Sequence, residues 1–453
     1  MGPFTKGLIF LLTLLLAPAY VGMSQTTGLG TPKLQLPVLP YLPTSASIKL
    51  QSQNSKTAAS AELSYRKAGQ THWLSAPKFD LAPYEFFEWS LTELTPASAY
   101  EYELKMTGIS TNSPGKTYYG RFKTMADGND SFKVAIITDS HIGPFPDGKR
   151  RLNTLKKIAH KAAEHNPDFT MALGDNVGWS GSKRNVKDPK LARQAYSMYR
   201  KGLAPLLNQG SYFGVIGNWE GENAIVPKTE RHHARDIRQR YMPGPDHTYG
   251  TYGGSSQQDY YAVKWGDALF IVLNVQSYSY PSKPAAEIEP YLEVADLKDW
   301  TLGKRQWQWL EKTLKAATEK QKFLLIHHVV GGKAPTERET LYGRGGGLAA
   351  HTGEQSRLHK LMIESGVSIM FYGHDHVFTD SIVDGVHYTL PGSAGIPKKF
   401  DKKWTGYDKY WSHSGYAILE VRDDDASVTF YNQSGKTLHS YNTAPRARKA
   451  SAE

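Results

Sequence analysis

Val367-Ser368-Ile369-Met370-Phe371-Tyr372 runs directly into Gly373-His374-Asp375-His376. Six residues, short and apolar with β-branched and aromatic members, read as a strand buried on both faces. The two imidazoles that follow at i and i+2 would diverge on an extended chain, so a glycine-led loop is expected to turn both toward one point. Two imidazoles converging at a strand end suit a metal ion, and Asp375 between them points away by alternation and reads as structural.

Four upstream runs end in the same way. Lys133-Val134-Ala135-Ile136-Ile137-Thr138 leads to Asp139-Ser140-His141, and Phe169-Thr170-Met171-Ala172-Leu173 to Gly174-Asp175-Asn176. Tyr212-Phe213-Gly214-Val215-Ile216 leads to Gly217-Asn218-Trp219-Glu220, and Phe323-Leu324-Leu325-Ile326 to His327-His328. Each strand delivers hard oxygen or imidazole donors, the mixture that suits a dinuclear site for Zn, Fe or Mn. The intervals from Asp139 to Asp175 and from Asp175 to Asn218 each leave room for one strand-helix crossover, as a parallel sheet requires.

The chain of 453 residues is long enough for two domains. Lys6, the apolar stretch Leu8 to Leu16 and the small residues Ala17, Ala19, Gly22 and Ser24 read as an export signal over residues 1–24. The apolar core is short and Pro18 interrupts it, which argues against a retained span, and no other segment is long and apolar enough to cross a bilayer. With Cys 0, neither disulfides nor thiolate ligands enter the site, and a secreted or periplasmic chain of bacterial type is expected. The net charge of +11 attracts anions, phosphate esters and anionic polymers among them. Its clusters, Lys149-Arg150-Arg151 with Lys156-Lys157 and Arg231 through Arg240, fall on expected helices and read as solvated faces.

Residues 25–44, rich in Gly, Thr, Pro and Leu without period, read as a leader into a first domain spanning 25–125. From Ser45 to Met125 the pattern is strand and turn throughout; Tyr100, Tyr102, Leu104 and Met106 alternate with polar residues as a half-buried strand does. After the polar hinge Ala126 to Asp130, strands and helices alternate over a second domain, 131–443. Leu152, Leu155, Ile158 and Ala162 mark one helix between Lys149 and His165, and Leu191 to Leu207 a second. Strands over 259–265 and 268–273 form a hairpin at Gly266-Asp267, Gln306 to Leu314 is helical, and His387 to Leu390, Tyr416 to Val421 and Ser427 to Tyr431 are the closing strands. The charged segment 444–453 reads as a disordered tail.

The ordered set Asp-x-His, Gly-Asp-x, Gly-Asn-x-Glu, strand-end His and Gly-His-x-His resembles the calcineurin-like metallophosphoesterases. The leucine-proline-tyrosine pattern of Leu91 to Tyr100 resembles the tyrosine corner of a fibronectin type III module, which points to the purple acid phosphatase-like branch. The resemblance implies an α/β four-layer sandwich, two mixed sheets face to face and flanked by helices, preceded by an all-β fibronectin III-like sandwich. It implies two metal ions bridged by Asp175, with Asp139, His141 and His376 completing one site and Asn218, His327 and His374 the other. It implies hydrolysis of phosphate esters, monoesters favoured, by attack of a metal-bridging hydroxide.

Two departures bear on the chemistry. Gly178 stands where purple acid phosphatases have a tyrosinate ligand, and His141 stands where they have none, so imidazole replaces phenolate and the purple charge-transfer colour is not expected. Trp219 replaces the histidine that contacts the phosphoryl group and helps protonate the leaving oxygen; it keeps a substrate-facing position but offers only an N–H donor. Losing a general acid costs about a hundred- to ten-thousandfold. His328 and Glu220 are the candidates to supply the acid, with an orienting role the other reading of Glu220. The basic, glycine-rich loop around Gly331-Gly332-Lys333 and Tyr342 to Gly347 could bring Arg344 onto a phosphate. Trp179, Tyr249 and Tyr252 are candidate rim aromatics.

The expected partner is a phosphorylated small molecule, with no specific nucleic acid and no stable membrane insertion once the signal is removed. The alternatives are a phosphodiesterase or nucleotide hydrolase, or a catalytically weak, metal-retaining binder of anionic polymers. Nothing in the sequence points to an oligomeric state.

Overall fold

The computed structural model describes residues 31–109, 114–128, 131–178, 188–222, 228–276, 302–328, 354–399, 407, 409–423 and 425–445. The expected signal, the Arg344 loop, Trp179 and the end of the tail lie outside them.

The first eight strands are β1 (Leu34–Tyr41), β2 (Ile48–Asn54), β3 (Ala59–Lys67), β4 (Leu74–Ser75), β5 (Phe79–Leu81), β6 (Phe86–Leu91), β7 (Ala99–Gly108) and β8 (Pro114–Lys123). They make two sheets, β1-β2-β6 and β4-β3-β7-β8 with β5 on β3. Alternate residues of each, Leu50, Trp89, Leu63, Tyr102, Leu104 and Met106 among them, face one shared core. The segment expected to be an aperiodic leader contains β1, which pairs with β2. Pro37 and Pro40 masked it: proline cannot donate to a ladder but is tolerated on an edge strand, and β1 is one.

The second part comprises β9 (Phe132–Ile137), α1 (Gly148–Ala163), β10 (Phe169–Ala172), α2 (Pro189–Gly202), α3 (Ala204–Leu207), β11 (Ser211–Gly214), α4 (Lys228–Tyr241), β12 (Tyr261–Trp265) and β13 (Ala268–Val272). It continues through α5 (Gly303–Ala316), β14 (Gln321–Leu325), α6 (Glu354–Ser365), β15 (Ile369–Phe371), β16 (Phe378–Val383), β17 (Val386–Pro391), β18 (Gly415–Val421), β19 (Ala426–Asn432) and β20 (Thr437–Thr443). One sheet has the order β11-β10-β9-β18-β19-β20 and the other β12-β13-β14-β15-β17-β16. β9, β10 and β11 are parallel, as are β13, β14, β15 and β17, while the outer hairpins run antiparallel.

The period-two alternation of strand side chains sorts each run into two cores. Val134, Ile136, Phe169 and Met171 meet Val263, Phe270, Phe323 and Phe371 of the facing sheet. Ala135, Ile137 and Ala172 turn outward against α1 and α2, and Leu269, Ile271, Leu324 and Met370 against α5 and α6. Two sheets back to back between two helical layers follow from strands that are apolar on both faces.

The helix expected over Leu191 to Leu207 is two helices. Pro205 has no N–H for the carbonyl of Lys201, so α2 ends at Gly202 and α3 starts afresh at Ala204. Gly202 also marks a close approach: a Cβ there would meet Leu155 Cδ2 at 2.7 Å.

Arg200 of α2 is fully buried, and no carboxylate pairs with it among the described residues. Its fork reaches β1 and β2 instead, from Nε to the carbonyl of Pro37 (3.0 Å) and from Nη1 to Oε1 of Gln51 (2.7 Å), with Nη2 on the Gln51 carbonyl. A further bond runs to the carbonyl of Tyr241 (3.0 Å). Tyr249, expected at a rim, is also buried at this junction, where its hydroxyl donates to the carbonyl of Pro43 (2.5 Å). Tyr252 is likewise anchored, its hydroxyl on Glu319 (2.9 Å). Tyr249 offers no aromatic platform, while Tyr252 stays half-exposed.

Candidate metal centre

Parallel strands in one sheet send their C-terminal ends to a common edge, and here the edges of both sheets meet. Asp139 and His141 follow β9, Asp175 follows β10, Asn218 follows β11, His327 and His328 follow β14, and His374 and His376 follow β15. Backbone bonds lace the loops together: His141 N–H to the carbonyl of Asp175 (2.8 Å), Asp139 N–H to Gly174 (3.1 Å) and Gly373 N–H to His327 (3.0 Å).

Most of the turning is done by the donor residues, with Gly174 (φ 89°) the one motif glycine that shares in it. Asp139, His141, Asp175, His374 and His376 all have left-handed φ, from 47° to 77°. Each such non-glycine residue costs about 1–3 kcal/mol and persists where the surroundings over-determine it. Gly373 instead supplies room, since a Cβ there would meet Thr138 Oγ1 at 2.4 Å and His327 Nδ1 at 2.9 Å. Gly217 does the same for Asp175, whose Oδ1 would lie 2.3 Å from an added Cβ.

One cluster joins Asp139, His141 and His376. Thr138 Oγ1 (2.8 Å) and the N–H of His374 (2.9 Å) both donate to Asp139 Oδ2. Oδ1 is buried with no hydrogen-bond partner and faces His376 Nε2 at 3.3 Å. His376 places Nδ1 2.9 Å from the carbonyl of Ile396, so that nitrogen carries the proton and Nε2 presents a lone pair. His141 Nε2 lies 3.0 Å from it. Three donors aimed at each other around an orphaned carboxylate oxygen fit a cation.

A second cluster gathers around Asn218, whose Oδ1 is faced by His374 Nδ1 at 3.0 Å, His327 Nε2 at 3.2 Å and His328 Nε2 at 3.3 Å. His327 Nδ1 is 2.7 Å from the carbonyl of Leu173, which again fixes the proton away from the centre. His328, read from the sequence as an acid candidate, is thus brought into this cluster with His327 and His374. The His327-His328 doublet was the signal for it.

Asp175 stands between the two. Its Oδ2 is 3.5 Å from His141 Nε2 on one side and 3.3 Å from His327 Nε2 on the other. Burial would raise the Asp139 and Asp175 carboxyls, but His376 and His141 facing the first, and His327 and His141 facing the second, hold both below the usual carboxylate range. Burial and the neighbouring imidazole of His376 act against charge on His141, which is lowered; Asp175 and Asp139 outweigh burial at His327 and lift it to about 9. Two ionised carboxylates in a dry, imidazole-lined pocket leave negative charge for cations to neutralise.

Glu220 takes the orienting position that was one of its two readings. Its Oε2 accepts from the N–H groups of Gly217 (2.8 Å) and Asp175 (3.1 Å), and its Oε1 from that of Asn176 (2.7 Å). It is fully buried, and both oxygens tie the β10 loop to the β11 loop as a brace would. Burial and then Asp175 push its carboxyl up to about 8, while the backbone donors pull the other way. Trp219 is half-buried, its indole edge-on to the His141 ring with centroids 5.3 Å apart. Asp375, expected to be structural, accepts from the hydroxyl of Tyr407 at 2.7 Å. Gly178 packs on His141: a Cβ there would meet its Cβ at 3.2 Å.

A family profile described as calcineurin-like phosphoesterase matches residues 132–378. Among solved structures, that of PhoD is similar over 91% of this chain and 90% of its own, at 14% identity and a TM-score of 0.67. GAP50, the anchor in the inner membrane complex of Plasmodium, is similar over 70% of this chain and 90% of its own, at 14% identity and a TM-score of 0.45. At such identities the likeness concerns fold alone. No curated protein matches the sequence.

Proposed function

This chain belongs to the calcineurin-like phosphoesterase family and is a hydrolase of phosphoester bonds, and from that premise we propose that it acts on phosphomonoesters at a dinuclear metal centre. The observation that carries the reading is the placement of Asp175 Oδ2 between two donor clusters, 3.5 Å from His141 Nε2 and 3.3 Å from His327 Nε2. Asp139, His141 and His376 would hold one ion; Asn218, His327, His374 and His328 would hold the other, with Asp175 shared. When bound, the ions supply an activated water and polarise a phosphoryl oxygen.

The chain's own residues do the rest. Leu173 and Ile396 fix the imidazole tautomers, Thr138 and the backbone of His374 hold Asp139, and Glu220 sets the distance between the loops that carry Asp175 and Asn218. Trp219 lends its backbone N–H to Asp175, and its indole carries only an N–H donor, which cannot protonate a leaving oxygen. Esters with good leaving groups are therefore the preferred substrates.

The first domain is proposed to be fibronectin type III-like, as in the purple acid phosphatase branch; supporting this, the N–H of Thr95 donates to the Tyr100 hydroxyl at 2.8 Å across the corner that opens β7. Export of the chain rests on the sequence of residues 1–24, and no helix among the described residues is long and apolar enough to cross a membrane.

The test is metal analysis of the purified protein beside hydrolysis of p-nitrophenyl phosphate and its bis ester with added Mn, Zn or Fe. Two ions per chain and faster monoester turnover are expected. Full occupancy without turnover of either ester would sink the proposal.

A further inference from the structure

A second crevice opens where the first domain meets the catalytic one, at the far side of the first six-stranded sheet from the metal centre. Asn208 stands just ahead of β11, at its N-terminal end, whereas Asn218 follows its C-terminal end. The N–H of Arg121 on the edge strand β8 donates to the Asn208 carbonyl at 3.0 Å, joining the two walls. Between them is a cavity of about 400 Å³, lined by Arg66, Trp73, Glu101, Tyr119, Arg121 and Asn208 among others. That volume is in the range of small-ligand sites.

Its lining has a definite chemistry. Arg66, Glu101 and Arg121 sit directly opposite one another on three adjacent strands, β3, β7 and β8. Arg66 spends Nε and Nη2 on Glu101 Oε2 (3.3 and 3.1 Å), and its guanidinium lies over the Trp73 ring, 4.5 Å from the centroid. Arg121 touches Glu101 only at 3.7 Å, and its side chain is 60% exposed, so its planar fork remains open to a ligand. Tyr119, two residues along the same face, is 66% exposed. Flat aromatic faces suit the apolar face of a sugar ring. A carboxylate between two guanidiniums, beside an amide, offers acceptors and donors for neighbouring hydroxyls. The three charged side chains sum to one positive charge, which calls for one acid group on the ligand, and Arg121 is built to grip it bidentately.

We propose that this crevice binds acidic glycans, sugar polymers that carry a carboxylate on the ring. The site is independent of the metal centre and would hold the enzyme on an anionic polysaccharide surface, to which the net charge of +11 already draws it.

The experiment uses the full chain, with an oligogalacturonate as probe, a neutral cello-oligosaccharide of equal length and a single-stranded oligonucleotide as comparators, all by calorimetry. The uronate oligomer is expected to bind at least tenfold more tightly than either comparator. Trp73→Ala, Tyr119→Ala and Arg121→Gln are each expected to weaken it tenfold or more, while thermal midpoint and p-nitrophenyl phosphate turnover stay unchanged. Uronate binding that survives all three substitutions would mean a diffuse basic surface and overturn the site. Tighter binding of the oligonucleotide, lost in the same variants, would overturn the ligand class, and no binding of any probe would overturn both.

Discussion

Asp175 and Trp219 are joined through the wrong part of the tryptophan for chemistry: the backbone N–H of residue 219 donates to Asp175 Oδ1 at 2.7 Å, while the indole lies to the side against His141. The main chain at 219 therefore orients the shared carboxylate whatever side chain it carries. Trp219→His should leave metal content unchanged and raise kcat on alkyl phosphates, whose leaving groups need a proton, by about a hundredfold or more. Nitrophenyl esters should gain little. Equal rates for both variants on alkyl phosphates would place the acid elsewhere.

Asp175→Asn removes the one charge common to both clusters. Mass-spectrometric metal analysis should find occupancy falling below one ion per chain, with turnover falling alongside. Chelation of the unmodified protein should do the same reversibly and lower its thermal midpoint, because ions that bind only the folded state stabilise it by mass action.

For Glu220, a brace and an acid make different predictions. Glu220→Gln puts an amide NH₂ among backbone donors, so it should cost about 1–3 kcal/mol in urea unfolding and weaken metal binding about 10–100-fold. The pH profile of the metal-saturated variant should keep its shape. Loss of one limb of that profile with metal affinity intact would make Glu220 an acid after all.

Arg238 and Glu222 form a buried pair, Nη2 to Oε2 at 3.1 Å, with Arg235 at 3.6 Å as a partial second partner. Removing one member of such a pair costs about 3–5 kcal/mol. Arg238→Met should fall near the lower figure, read as a shift in the urea midpoint, because Arg235 still faces the carboxylate.

His165, half-buried with its ring against Tyr431 and Nε2 3.1 Å from the Tyr416 hydroxyl, is lowered by burial and by Lys133; His439 is lowered by burial and by Lys409. The fold favours both in neutral form, so their contribution is complete above the unfolded value of about 6.5 and is lost as pH falls through the depressed folded values. Urea unfolding should show stability declining below about pH 6.5. His165→Gln should flatten part of that decline.

Five strand runs and their terminal donors were legible because strands buried on both faces are short and apolar, and because donor residues at their ends have no packing reason to be there. β1 was not legible, since two prolines on an edge strand look like a loop. The orienting place of Glu220 was one of two readings, and the choice between them, like the meeting of His328 with His374 around Asn218, depends on how adjacent loops lie across each other, which spacing along the chain does not encode. The glycines of the motifs were visible, but their division of labour was not: Gly217 and Gly373 clear space for neighbouring side chains, while Gly174 and the aspartates and histidines make the left-handed turns.

Arg200 holds the two parts of the chain through carbonyl groups of Pro37 and Gln51 rather than through an opposing charge. A carbonyl position depends on where its backbone runs, so recombination that grafted a different sandwich onto this catalytic core would strand a guanidinium in a dry interior, at a cost of several kcal/mol. The two modules can be inherited together or rebuilt together, but not exchanged like beads on a string.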